Sequence, residues 1–155
     1  MELHVSRATE CERPVLRRLL ELYSYDFSEF DDRDLDADGE YGYRHLDDYW
    51  ADADRHPFLL RVDSQVAGLV LVRAGAVTDM AEFFVLRKYR RLGVGRRAAE
   101  EIFRMFPGRW TVRQKLTNPA ATAFWRSVIP YPFAERTSGE EVIQEFTAAE
   151  GTGDV

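Results

Sequence analysis

Residues 82–97 read EFFVLRKYRRLGVGRR, and in this stretch an apolar run ends in a basic turn with two glycines before an apolar pattern resumes at helical spacing. The pattern predicts strand, turn and helix in succession. The turn gathers Arg87, Lys88, Arg90, Arg91, Arg96 and Arg97 without one acid, in a chain whose formal net charge is −6. A helix that starts at such a turn presents free backbone N–H groups and the positive end of its dipole. Gly93 and Gly95 would permit close approach of a ligand or a neighbouring strand. A phosphate or pyrophosphate satisfies these groups, although the turn alone is equally compatible with a purely structural role.

Downstream, Val94, Ala98, Ala99, Ile102 and Phe106 form a core-facing stripe that Pro107-Gly108 ends. Trp110 to Lys115 is predicted as a strand. Asn118 to Val128 is predicted as a second helix, with Asn118 as N-cap, Pro119 in the first helical position, and Ala121, Phe124, Trp125 and Val128 on one face. Tyr131-Pro132 interrupts, and Glu141 to Thr147 forms a last strand, paired with Phe133 to Thr137 across Ser138-Gly139.

Upstream, Val77 to Leu86 is a strand joined to VAGLVLV through Ala74 and Gly75, a connection that permits only an antiparallel turn. VAGLVLV in turn forms a hairpin with FLLRV across Asp63-Ser64-Gln65. His45 to Trp50 is expected to be a short helix that His56-Pro57 breaks. Leu16, Leu19, Leu20, Tyr23 and Phe27 mark an earlier helix with Pro14 in its first turn, Thr9 and Glu12 suggest a capping box, and LHVSRA suits an N-terminal strand. This order predicts a mixed α/β sheet with helices on its faces. A single domain is expected over residues 1–147, with a flexible tail at 148–155.

At 155 residues with 45% hydrophobic content, the chain suits one ordinary packed core. No apolar run approaches the roughly 20 residues of a membrane span, and MELHVSRATE lacks the features of a signal peptide, so a cytoplasmic, membrane-free protein is expected. Cys11 is the only cysteine, which excludes an internal disulfide, and no Cys/His spacing suggests a metal. Asp26 to Glu40 holds eight acids against Arg33; without it the chain has 19 acids and 20 bases. The basic residues occupy one turn rather than a face, so no nucleic-acid partner is expected.

Phe83-x-Val85, Tyr89 and Arg90-x-x-Gly93-x-Gly95 opening a helix resemble the acetyl-CoA signature of the GCN5-related N-acetyltransferase (GNAT) superfamily. Asn118, Ala121, Phe124 and Trp125 resemble its second signature, and the element order agrees over nearly the whole chain. The resemblance implies a mostly antiparallel sheet splayed at its central strands, and acetyl-CoA as co-substrate. It also implies that backbone groups of Val85, Leu86 and Arg87 hold the acetyl carbonyl and pantetheine arm. Arg90, Arg91, Leu92, Gly93, Val94, Gly95 and Arg96 would hold the pyrophosphate, with Asn118 and Trp125 facing the cofactor arm from the other side. The acceptor would be a small-molecule or peptide amine that attacks the thioester directly, in a monomer or homodimer.

Glu82 is the candidate base, because family members often place a glutamate on this strand. Two positions depart from the family: Arg87 stands where proline is common, and Trp125 where many members carry a tyrosine acid. An indole N–H cannot act as that acid. Either another residue, such as Tyr131, serves, or the thiolate leaves unassisted; a non-catalytic acetyl-CoA-binding module is the alternative. The acidic segment either attracts a cationic acceptor or is a solvated loop. The aromatics flanking it (Tyr23, Tyr25, Phe27, Phe30, Tyr41, Tyr43, Tyr49, Trp50) either line an acceptor pocket or belong to the core. His45 and His56 have no partner that spacing identifies.

Overall fold

A computed structural model describes residues 1–150. Strand β1 (Leu3–Arg7) leads to a 3-10 turn at Glu10–Glu12 and helix α1 (Arg13–Phe27). The Thr9 N–H donates to Glu12 Oε1 at 2.9 Å, so the capping box closes the short turn and leaves Pro14 in the first turn of α1. The next helix, α2 (Asp48–Ala51), starts later than His45, and His56-Pro57 does not lie in a break after it. Both residues belong to β2 (Arg55–Val62), which pairs with β3 (Gln65–Arg73) as far back as Arg55–Arg73. Asp63 and Ser64 take φ values of 47° and 70°, the left-handed conformation at both turn positions that a two-residue hairpin favours.

The apolar run of β3 is buried on both faces. Leu69 and Leu71 pack with Leu16, Leu19 and Leu20 of α1, while Val70 and Val72 pack toward the opposite face. There they meet α3 (Val94–Met105) and α4 (Pro119–Val128). The expected stripe of α3 is buried through Ile102, but Phe103 rather than Phe106 completes it; Phe106 lies at the helix end, half-buried.

Strand β4 (Thr78–Val85) follows β3 antiparallel, and β5 (Gly108–Lys115) follows α3. The terminal hairpin is β6 (Phe133–Ser138) and β7 (Glu141–Ala148), with β7 lying between β5 and β6. The sheet order is β1-β2-β3-β4-β5-β7-β6, antiparallel except where β4 meets β5. That parallel contact consists of Thr78–Trp110 and Asp79–Thr111, after which the strands separate. The expected splay at the centre is therefore present. Strand β7 extends to Ala148, which is buried, so packing continues past the expected boundary at Thr147. The expected tail from 151 to 155 lies outside the described residues.

Candidate active site

The divergence of β4 from β5 opens a cleft of about 1090 Å³, walled by the C-terminal part of α1 and the loop after it on one side and by the start of α4 on the other. Its floor is set by an irregularity in β4. Val72 pairs with Met80 and Leu71 with Glu82, leaving Ala81 as an extra residue. Such a bulge reverses the facing of every residue after it. It turns Glu82 toward α1, where Tyr23 and Tyr43 stand, and sends Phe83 and Val85 toward α3 and α4.

At the end of β4, Leu86 N–H donates to Ala67 O at 2.8 Å and Leu86 C=O accepts from Tyr89 N–H at 2.9 Å. The Leu86 N–H is thus engaged within the protein, while its carbonyl, with one bond accepted, keeps a second lone pair. Strand alternation then points the Val85 N–H into the gap. Beyond a 3-10 turn at Arg87–Tyr89, Arg91 and Gly93 take left-handed φ values of 63° and 79°. The first intrahelical bond of α3 runs from Arg97 N–H to Gly93 O at 3.1 Å, and no side chain caps this end. The N–H groups of Val94, Gly95 and Arg96 consequently face outward, as a pyrophosphate requires. A Cβ on Gly95 would stand 3.1 Å from the Phe124 ring, so glycine here lets α4 close against α3 beside the cradle. The residues present therefore fit the diphosphate and arm of acetyl-CoA.

The arginines divide their work. Arg87 Nε and Arg90 Nη2 reach the two oxygens of Asp26 at 2.9 and 2.7 Å, and Arg90 Nε donates to Val85 O at 2.9 Å. Burial works to raise the Asp26 carboxyl, but hydrogen bonds from Arg90 and Arg87 outweigh it and hold it below its ordinary value. Arg96 donates to Ser127 O at 3.1 Å, tying α3 to α4. Arg91 and Leu92 are exposed on the turn itself.

Glu82 is half-buried by surface area, yet protein surrounds it at the base of the cleft. Loss of solvation pushes its carboxyl up to about 7, against hydrogen bonds from Tyr23 and Tyr43 and the charge of Arg33, and with the charge of Asp79. The Tyr43 hydroxyl donates to Glu82 Oε1 at 3.5 Å. Both tyrosine hydroxyls are held neutral, first by their own burial and then by the neighbouring carboxylate.

Asn118 caps α4 by accepting from Ala121 N–H at 3.2 Å, and lines the cleft with Phe124 and Trp125. Trp125 is buried edge-on to Phe83, with ring centroids 5.0 Å apart. Tyr131 lies elsewhere: half-buried, it packs against the core, its ring stacking on Phe146 at 5.9 Å and meeting Phe103 edge-on at 6.2 Å, away from the cleft lining. It does not join Glu82. Of the flanking aromatics, Tyr23, Phe27, Phe30 and Tyr43 line the cleft, Tyr49 is core, and Tyr25 is exposed. His45 faces Asp48 at 3.2 Å on the surface, and His56 sits beside Arg7 and Phe106, both outside the cleft. Sequence reasoning treats Asp26 and Arg33 only as parts of the acidic segment and gives neither a role of its own; their partners lie far along the chain or on backbone carbonyls, so no local spacing marks them.

The sequence model described as the Acetyltransferase (GNAT) family matches residues 16–128, which include both signatures. No curated protein matches the chain. Among solved structures it is similar to an acetyltransferase from Thermus thermophilus, at 18% identity and a TM-score of 0.74, covering 95% of this chain and 97% of that one. It is also similar to the PaiA N-acetyltransferase of Thermoplasma acidophilum in complex with coenzyme A, at 11% identity and a TM-score of 0.72, covering 95% and 99%. A third is the ribosomal-protein-S18-alanine N-acetyltransferase of Escherichia coli, at 13% identity and a TM-score of 0.65, covering 99% of each chain. These likenesses carry the fold, and the match across both signatures carries the family: the chain belongs to the GNAT acetyltransferases, enzymes that use acetyl-CoA as co-substrate.

Proposed function

We propose that this protein transfers the acetyl group of acetyl-CoA directly to a primary amine, with Glu82 as the base. The observation that carries the reading is the Glu82 carboxyl, raised to about 7 at the base of the cleft, three residues before the Val85 N–H that points into the same gap. A lysine-like ammonium, with a pKa of about 10.4, must lose a proton before it can attack, and a base poised near neutral pH accepts it most effectively. The amine nitrogen then bonds to the thioester carbon, the C–S bond breaks, and the surplus proton on nitrogen passes to the departing thiolate or to water, leaving a neutral amide. Val85 N–H donates to the carbonyl oxygen as negative charge develops there.

The sulfur leaves with the electron pair of the broken bond. The indole at position 125 carries no acidic proton, and Tyr131, half-buried against the core, does not line the cleft. A thiol of pKa about 8.5 departs as a thiolate without help. Acetyl-CoA supplies the activated thioester and a diphosphate for the α3 cradle.

CoA release measured against primary amines, amino acids, peptides and aminoglycosides tests the proposal. Turnover with at least one acceptor is expected, and it should fall about 10²-fold or more in Glu82→Gln. Tight acetyl-CoA binding with no release on any amine would instead support a non-catalytic module.

A further inference from the structure

The acceptor half of the cleft contains both acids and bases, and most of them are already matched. Asp26 takes Arg87 and Arg90. Asp31 faces Lys115 at 4.0 Å, and Asp79 and Glu141 each face Arg113 at 3.8 Å. A polycationic acceptor would find few uncommitted acids here. Arg33 is different. Among the described residues it makes no carboxylate pair: its Nη2 donates to the carbonyls of Tyr41 and Gly42 at 2.9 and 3.2 Å. Carbonyls position a guanidinium without cancelling its charge, and the remaining N–H groups stay available for a planar anion.

The mounting is built on both sides. Glu21 accepts from the N–H groups of Tyr41 and Gly42 at 2.8 and 3.2 Å, so the peptide that holds Arg33 is itself held by α1. The next residue, Tyr43, donates to Glu82. One short segment therefore supplies an uncompensated guanidinium and a hydrogen bond to the base of the proposed reaction, and both groups line the same cleft, together with Tyr23, Phe27 and Phe30.

We propose that the acceptor is an amino acid with an apolar body, its amine presented to Glu82 and its carboxylate bound by Arg33. Resting on the N-acetyl transfer proposed above, this inference makes Arg33 a specificity determinant: it binds the group that distinguishes an amino acid from a plain amine. The acidic segment then serves to supply Arg33 and to neutralise neighbouring bases, not to attract a cation.

The test compares phenylalanine, leucine and 6-aminohexanoate, each against the amine that lacks only its carboxylate. For the best of the three, kcat/KM should exceed that of its counterpart by about 10- to 100-fold, the usual effect of a charge-assisted pair. In Arg33→Gln this ratio should fall to near 1, through KM rather than kcat, and Arg33→Lys should retain part of it. A ratio near 1 in the wild type, or one unchanged in Arg33→Gln, overturns the proposal; an equal loss on both members of each pair marks Arg33 as structural and also overturns it. Calorimetric titration of the same amino acids into the protein saturated with CoA separates the two readings. Arg33-dependent binding without turnover would remove the transfer reaction and keep the anion site, whereas absence of both binding and turnover would remove the site.

Discussion

A carboxyl with a value near 7 holds its proton through a pH range in which the unfolded chain has already released it. For Glu82 that range runs from its ordinary 4.5 to about 7. The folded state therefore binds more protons than the unfolded one there, and its stability declines as pH rises through the window, then levels off. Glu82→Gln removes this decline. In denaturant titrations at pH 5 and pH 8, the variant should gain stability relative to wild type at the higher pH, while its activity falls. Gain in stability and loss of activity at one residue is the signature of a group kept buried for function. The wild-type pH profile of kcat/KM should show a limb near 7 that is absent in the variant, with the deficit shrinking at alkaline pH, where the ammonium loses its proton unaided. A variant that keeps the limb would assign the base elsewhere.

The elements around the site differ in how far their sequence announces them. Asn118-Pro119 is a helix start by residue type alone, and the structure forms it there with the expected side-chain cap. Asn118→Ala should cost about 1 kcal/mol of stability in chemical denaturation, the typical value of such a cap. Gly95→Val should cost about 1–3 kcal/mol, because the added carbons meet Phe124 in a packed contact. It should also raise the KM for acetyl-CoA, since the displaced ring borders the α3 cradle. Unaltered KM would place the cofactor away from that helix end.

The basic turn, the hairpins and both signature helices are legible because each rests on neighbours in the chain. The bulge at Ala81 is not, since MAEFFV offers no polar alternation from which a reversal of facing could be read. The Asp26 pairs with Arg87 and Arg90 span more than 60 residues, and only the end of α1 brings them together. Tyr131 is misleading for the same reason: an aromatic after a helix suits a site or a core equally, and its partners Phe103 and Phe146 come from other elements. The acidic segment reads as a solvated loop or a cation trap, and its structural order comes from Glu21 and Arg33 grasping one peptide from both sides.

On the scale of the whole molecule, the sheet is continuous but weakly joined at its centre. β4 and β5 share only the Thr78–Trp110 and Asp79–Thr111 pairs, whereas β5 and β7 are in register from Gly108–Ala148 to Lys115–Glu141. The groups proposed to hold the cofactor arm stand on both lips of this gap, Val85 on the β4 side and Asn118 on the helix after β5. A ligand that bonds to both lips supplies links that the sheet lacks, so its binding energy adds to the cohesion of the two halves. At 100 times its Kd, acetyl-CoA should stabilise the fold by about 2.7 kcal/mol. For a chain of this size that corresponds to a rise of roughly 5–10 °C in Tm, read by calorimetry or dye fluorescence. Hydrogen exchange should localise the added protection to β4, β5 and the N-terminal turn of α3, leaving the edge strands β1 and β6 little changed. Protection confined to one lip would mean that the ligand docks on a single half of the sheet, and the gap would then be a packing feature rather than the seat of the cofactor.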